Sequence, residues 1–84
     1  MENKDGLLSN IDKIHTTQMG VERIKKNLKI NTKDVVGYCK EKIVDNRCII
    51  DKEGKNYYCK VDHIIIVIHS TSFTIITAHK ENFK

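Results

Sequence analysis

Imidazole is the side chain best suited to moving protons near neutral pH, and this chain has four: His15, His63, His69 and His79. Around them stand cations and hydrogen-bonding groups, namely Arg23, Lys26, Lys55, Tyr57, Thr77 and Lys80. Metal-free RNA cleavage needs little more. A base takes the 2′-hydroxyl proton, an acid protonates the leaving oxygen, and Arg or Lys stabilises charge gathering on phosphorus. Tyr57 and Tyr58 add aromatic faces on which unpaired bases can stack. The same residues also have ordinary uses: a histidine at a sheet rim closes a core, helix lysines are solvated, and strand tyrosines pack.

Other chemistries find less support. Cys48, Cys59, His63 and His69 offer zinc ligands, but their spacing is not the compact knuckle of structural zinc sites, so no metal is expected. No local signature marks a nucleophilic Cys or Ser, no acidic cluster suits magnesium, and no glycine loop cradles a phosphate. No cofactor is expected. Fifteen Lys and Arg against eleven Asp and Glu give a net charge of +4, enough to favour an encounter with RNA without requiring one. The odd count of three cysteines argues against a disulfide framework. With no signal-like start and no apolar run long enough for a bilayer, no membrane association is expected and the location is expected to be cytoplasmic.

Positioning these groups falls to elements that the periodicity reveals. At 84 residues the chain is expected to be a single domain, 1–84, helical over about 5–43 and sheet over about 47–80. Leu7, Leu8, Ile11 and Ile14 predict one amphipathic helix from Asp5 to Ile14. Thr16 or Thr17 caps a second, running to about Lys26 with Asn27 as its stop. A third starts at Asn31 or Thr32 and runs to about Ile43, with Gly37 a cost inside it. Cys48–Ile50, Asn56–Val61, Ile64–Ile68 and Phe73–Ala78 then read as strands joined by tight turns, with Gly54 free to take positive φ. In the last strand, simple alternation puts Phe73, Ile75, Thr77 and His79 on one face and Thr74, Ile76, Ala78 and Lys80 on the other. The fold class is therefore α+β, with two or three N-terminal helices packed on a four-stranded antiparallel β-meander. The last two strands are apolar on both faces, so either the rest of the chain wraps round them or the second face meets another subunit, as in a homodimer through the sheet.

Three blocks carry a resemblance: His15-Thr16-Thr17 through Gly20, Arg23-Ile24-Lys25 and Asn27-Leu28; Gly54 to Tyr58; and Thr74 to Lys80. Together they resemble the bacterial family known as domain of unknown function 3781 over nearly the whole chain, which implies a shared fold and no activity. More distantly the chain resembles the small nucleases that include barnase, RelE and the colicin-D-type toxins. That likeness implies His15 as acid or base, Arg23 and Lys55 holding phosphate, and Thr77 and His79 completing the site from the last strand. Two functions from different classes are expected on these grounds. One is a metal-independent, toxin-type ribonuclease; the other is a non-enzymatic module that binds a protein, a nucleic acid or a second copy.

Overall fold

The structure is a computed structural model and describes residues 3–81. Helix α1 spans Asn3–Leu8 and a 3₁₀ turn spans Ile11–Lys13; α2 spans Gln18–Leu28 and α3 Val35–Val44. Four strands follow: β1 Ile49–Glu53, β2 Asn56–Val61, β3 Ile64–His69 and β4 Ile75–Lys80. They form one antiparallel sheet in the order β1-β2-β3-β4, so the expected α+β architecture holds.

The helices begin where side chains satisfy free backbone donors. Thr17 Oγ1 accepts from the Gly20 amide at 3.0 Å, and Asp34 Oδ1 accepts from the Gly37 amide at 2.9 Å. Both caps fold over a glycine at the third helical position. A Cβ at Gly37 would collide with the Asp34 carboxylate, so this glycine makes room for the cap and offsets its own helix penalty. The last strand runs Ile75–Lys80 rather than Phe73–Ala78, and three helix boundaries also differ from expectation. The first helix stops at Leu8, where Asn10 Nδ2 donates to the Gly6 carbonyl at 2.9 Å. Helix α2 continues past Asn27 to bury Leu28 and ends at Lys29, which takes the left-handed conformation, φ 57°. Helix α3 starts at Val35 because Asp34, and neither Asn31 nor Thr32, is its cap.

Register sorts the sheet into two faces. Ile50, Cys59, Ile66 and Ala78 stand abreast on the inner face, with Tyr57, Ile68 and Ile75 beside them. These pack against Leu7, Ile24, Leu28, Val35, Cys39 and Ile43 from the helices to form one core. Cys39 and Cys59 are fully buried there, and Cys48 is 4% exposed. All three turns between strands use positive φ, at Gly54 (62°), at Asp62-His63 (52° and 62°) and at Phe73 (59°), and in the two tight hairpins this matches the strand twist.

Simple alternation fails in β4. Val67 pairs with Thr77 but Ile68 pairs with Ile75, so Ile76 bulges out unopposed and is 41% exposed. The bulge turns Ile75 and Ala78 inward and leaves Thr77 and His79 on the outer face. Ile75 therefore does not share a face with Thr77 and His79, as alternation alone implies.

Candidate functional site

The helices cover only the inner face. The outer face presents three rows in register across the strands: Ile49, Lys60, Ile65 and His79; then Asp51, Tyr58, Val67 and Thr77; then Glu53, Asn56 and His69. A hollow of about 280 Å³ opens there, lined by Asp51, Glu53, Tyr58, Lys60, Ile65, Val67 and His79. Ile65 and Val67 make its floor. Val67 is only 7% exposed although it stands apart from the main core cluster, so its larger neighbours on the outer face shield it. Carboxylates stand on the β1 side, and Lys60 and His79 stand along one row. Among the described residues, none of Asp51, Glu53, Lys60 and His79 makes an ion pair.

One cluster of charges elsewhere is paired. Asp62, in the β2–β3 turn, accepts from Lys42 of α3 at 2.8 Å and meets Arg47 at 3.2 Å; Arg47 also holds Asp45 at 2.9 Å. Hydrogen bonds from the Arg47 side chain and backbone bring the Asp45 carboxyl down to about 2, and the Lys42 bond lowers Asp62 in the same direction. Lys42 also lies over the Tyr38 ring, 5.5 Å from its centre. The cluster pins α3 to the sheet and is separate from the hollow.

Of the residues expected in a site, the outer face brings Thr77 and His79 together, and His79 lines the hollow. His15 lies elsewhere. It forms a one-residue parallel bridge with Thr74, ahead of β4, donating its amide to the Phe73 carbonyl at 3.1 Å and accepting from the Ile75 amide at 2.7 Å. From Thr74 to His79 the strand rises roughly 15 Å. The His15 ring is engaged at both nitrogens. Nδ1 faces the Lys13 carbonyl at 2.9 Å, which can only accept, so Nδ1 carries the proton. In the neutral ring Nε2 then accepts from the Thr74 hydroxyl at 3.0 Å, and Ser72 Oγ lies 2.9 Å from Thr74 Oγ1. A base oriented by a carbonyl and bonded to a hydroxyl has the order of an activated nucleophile. Here it fastens the His15 segment to β4.

Arg23 and Lys26 are exposed on α2, and Lys55 is exposed in the β1–β2 turn. Lys80 leaves β4 next to His79 and so points to the opposite face. Tyr57 is a correction. It is 7% exposed on the inner face, and its hydroxyl lies so close to α1 that a Cβ at Gly6 would meet it at 2.9 Å, so it cannot stack on a base. Tyr58 occupies the outer face instead. His69 Nδ1 accepts from the amides of Thr71 and Ser72 at 3.2 and 3.4 Å, which ties its ring to the β3–β4 turn. Among the described residues no group of three or more His, Cys, Asp or Glu is placed to hold a metal, and no helix is long and apolar enough to cross a membrane.

Asp51, Glu53, Lys60, Ile65 and Val67 were not legible as site residues by type. Their signal is positional: each except Glu53 stands next to a core residue on a strand whose other side is covered, and Glu53 follows Asp51 on the same face.

Fold and face together define an α+β domain with helices on one side of an antiparallel sheet and a charged, apolar-floored hollow on the other. Residues 8–79 match the family described as Protein of unknown function (DUF3781), and the chain belongs to that family. No curated protein and no solved structure matches the chain.

Proposed function

We propose that this domain is a non-enzymatic protein-recognition module that works through the open face of its sheet. The observation that carries this reading is the combination on one face of an apolar floor with four unpaired ionisable groups, Asp51, Glu53, Lys60 and His79. Ile49, at the face's corner, is 61% exposed. Apolar centres ringed by charge are what protein partners bury, whereas solvated faces alternate polar residues throughout. Two carboxylates in the hollow also weaken the hold on a polyanion.

Metal-independent RNA cleavage is the second reading. It keeps the support of His79 and Thr77 sharing a face with Lys60 and Tyr58. It loses support from His15, Arg23 and Lys55, which do not line the hollow with His79. An acid, a base and a phosphate-holding cation must all reach one phosphate.

Amine-reactive labelling tests the first reading, with Lys26 on α2 as internal reference. Lys60 should react as readily as Lys26 in dilute purified protein and be selectively protected in cells that produce it naturally. Equal reactivity in both settings counts against recognition through this face. Cleavage of single-stranded RNA by purified protein, lost in a folded His79→Ala variant, would decide for the nuclease.

A further inference from the structure

Resting on the recognition reading, we propose that the partner is a second copy of this chain, the two open faces packing together about a two-fold axis with their strands crossing near a right angle. Three observations lead there.

The edges of the sheet are poor alternatives. On β4, the Ile75 amide donates to the His15 carbonyl, the Ile75 carbonyl accepts from Thr16 Oγ1 at 3.1 Å, and the Ala78 carbonyl accepts from Asn27 Nδ2 at 3.2 Å. That edge is already covered from within the chain. At β1, two-fold antiparallel pairing that keeps the faces aligned and is centred on Asp51, Lys52 or Glu53 sets that charged residue against its own copy, and like charges directly opposed disfavour it. Centred on Ile50, it opposes no like charges but sets the charged Asp51 against the apolar Ile49.

The open face, by contrast, is complementary to itself. Ile49 stands at a corner where a row and a column meet. Along the row, Lys60 and His79 lie about 5 and 14 Å from Ile49 at normal strand spacing; along β1, Asp51 and Glu53 lie about 7 and 13 Å away at normal strand rise. A two-fold axis between two such faces, on the diagonal through Ile49, exchanges row with column. It sets Ile49 on Ile49, Lys60 over Asp51 of the second copy, and His79 over its Glu53, each charged contact occurring twice. Exchanging row and column rotates the strands by a quarter turn, which is one of the two preferred ways for sheets to pack.

Finally, among the described residues these four groups, like most charges outside the Asp45, Asp62, Lys42 and Arg47 cluster, have no internal ion pairs, so none need break for the faces to meet. The footprint, roughly 19 by 20 Å, is small against the standard interface of about 800 Å² per partner. The dimer should therefore be reversible and dependent on concentration.

Sedimentation velocity from micromolar to millimolar concentration tests this with a charge swap. Wild type should pass from monomer to dimer, and added salt should weaken the dimer. Lys60→Glu alone and Asp51→Lys alone should each weaken dimerisation about tenfold or more. Combining both in one chain should restore it, as should mixing the two single variants, which gives a heterodimer. The restored double variant also shows that the substitutions leave the fold intact. Single variants that dimerise like wild type, or a swap that fails to rescue, overturn the proposal. A wild type that stays monomeric at millimolar concentration also overturns it. If Lys60 of that monomer is still protected in the producing cell, recognition through this face survives with a different partner. If Lys60 is unprotected, both readings fall.

Discussion

At the scale of single residues, Lys29 adopts a backbone conformation that its type disfavours. It closes α2 at φ 57° and ψ 46°, where a Cβ crowds the neighbouring carbonyl and glycine does not. Its side chain is exposed, so Lys29→Gly should stabilise the fold by roughly 0.5–1 kcal/mol after the entropy of a freer unfolded chain is charged against it. A higher urea midpoint with unchanged slope checks this. The thiols allow a second prediction. Burial pushes the Cys39 thiol up to about 11, and the Cys59 thiol is shifted upward too, chiefly by its hydrogen bond with Cys48 and then by burial. Since the thiolate is the nucleophile, Cys39 and Cys59 should resist alkylation at neutral pH in the folded protein and react once urea unfolds it. Mass spectrometry counts the adducts, and rapid labelling of either residue in the native state would contradict the core described here. Residue type alone offers Cys59 to a metal as readily as to a core, and the structure buries it fully among apolar neighbours. Residue type misread Tyr57, since tyrosine suits a core and a ligand face equally and only the register distinguishes them.

At the scale of elements, order and strand pairing were legible because hydrophobic periodicity and turn residues are local signals. The β4 faces were not, because a bulge is a mismatch between two strands and neither strand records it alone. One inserted residue, Ile76, decides that Ile75 joins the core while Thr77 and His79 reach the open face. The position of His15 was equally hidden, since its bridge to Thr74 spans most of the chain. The contact between α3 and the β2–β3 turn gives a pH prediction. Asp45 and Asp62 ionise more readily in the folded chain than their ordinary value of 3.8, so the unfolded chain binds protons first as acid is added. Their contribution is fully present above that value, declines as pH falls below it, and is gone below about 2, where folded Asp45 is itself protonated. Both lie at the surface, so the effect should be small and should shrink with salt. Comparing urea midpoints of wild type and Asp62→Asn across that range checks it. The two should differ near neutral pH and converge in acid, and a constant gap would mean that Asp62 acts through the turn backbone alone.

At the scale of the whole molecule, the governing fact is that three helices cover one side of a sheet whose central strand is apolar on both. Ile64, Ile66 and Ile68 are buried on the inner side, and Ile65 stands half-buried on the other with only strand neighbours beside it. The sequence shows this imbalance without resolving it, because an isoleucine run reads the same whether both faces are covered or one waits for a partner. Adjacent residues of β3 can therefore measure the sidedness directly. Ile66 is fully buried, so Ile66→Ala should leave a cavity under α2 and α3 and cost about 3–4 kcal/mol. Ile65→Ala should cost about 1 kcal/mol, mostly through weaker strand preference and lost cross-strand contact. Measured by urea denaturation at low micromolar concentration, where self-association contributes little, the pair should differ by at least about 2 kcal/mol. Equal costs would mean that the outer face is packed as tightly as the core, which would leave no room for a partner there. A large difference at low concentration that narrows as concentration rises would tie the open face to association, because Ile65 would then be buried by a neighbour that the isolated chain lacks.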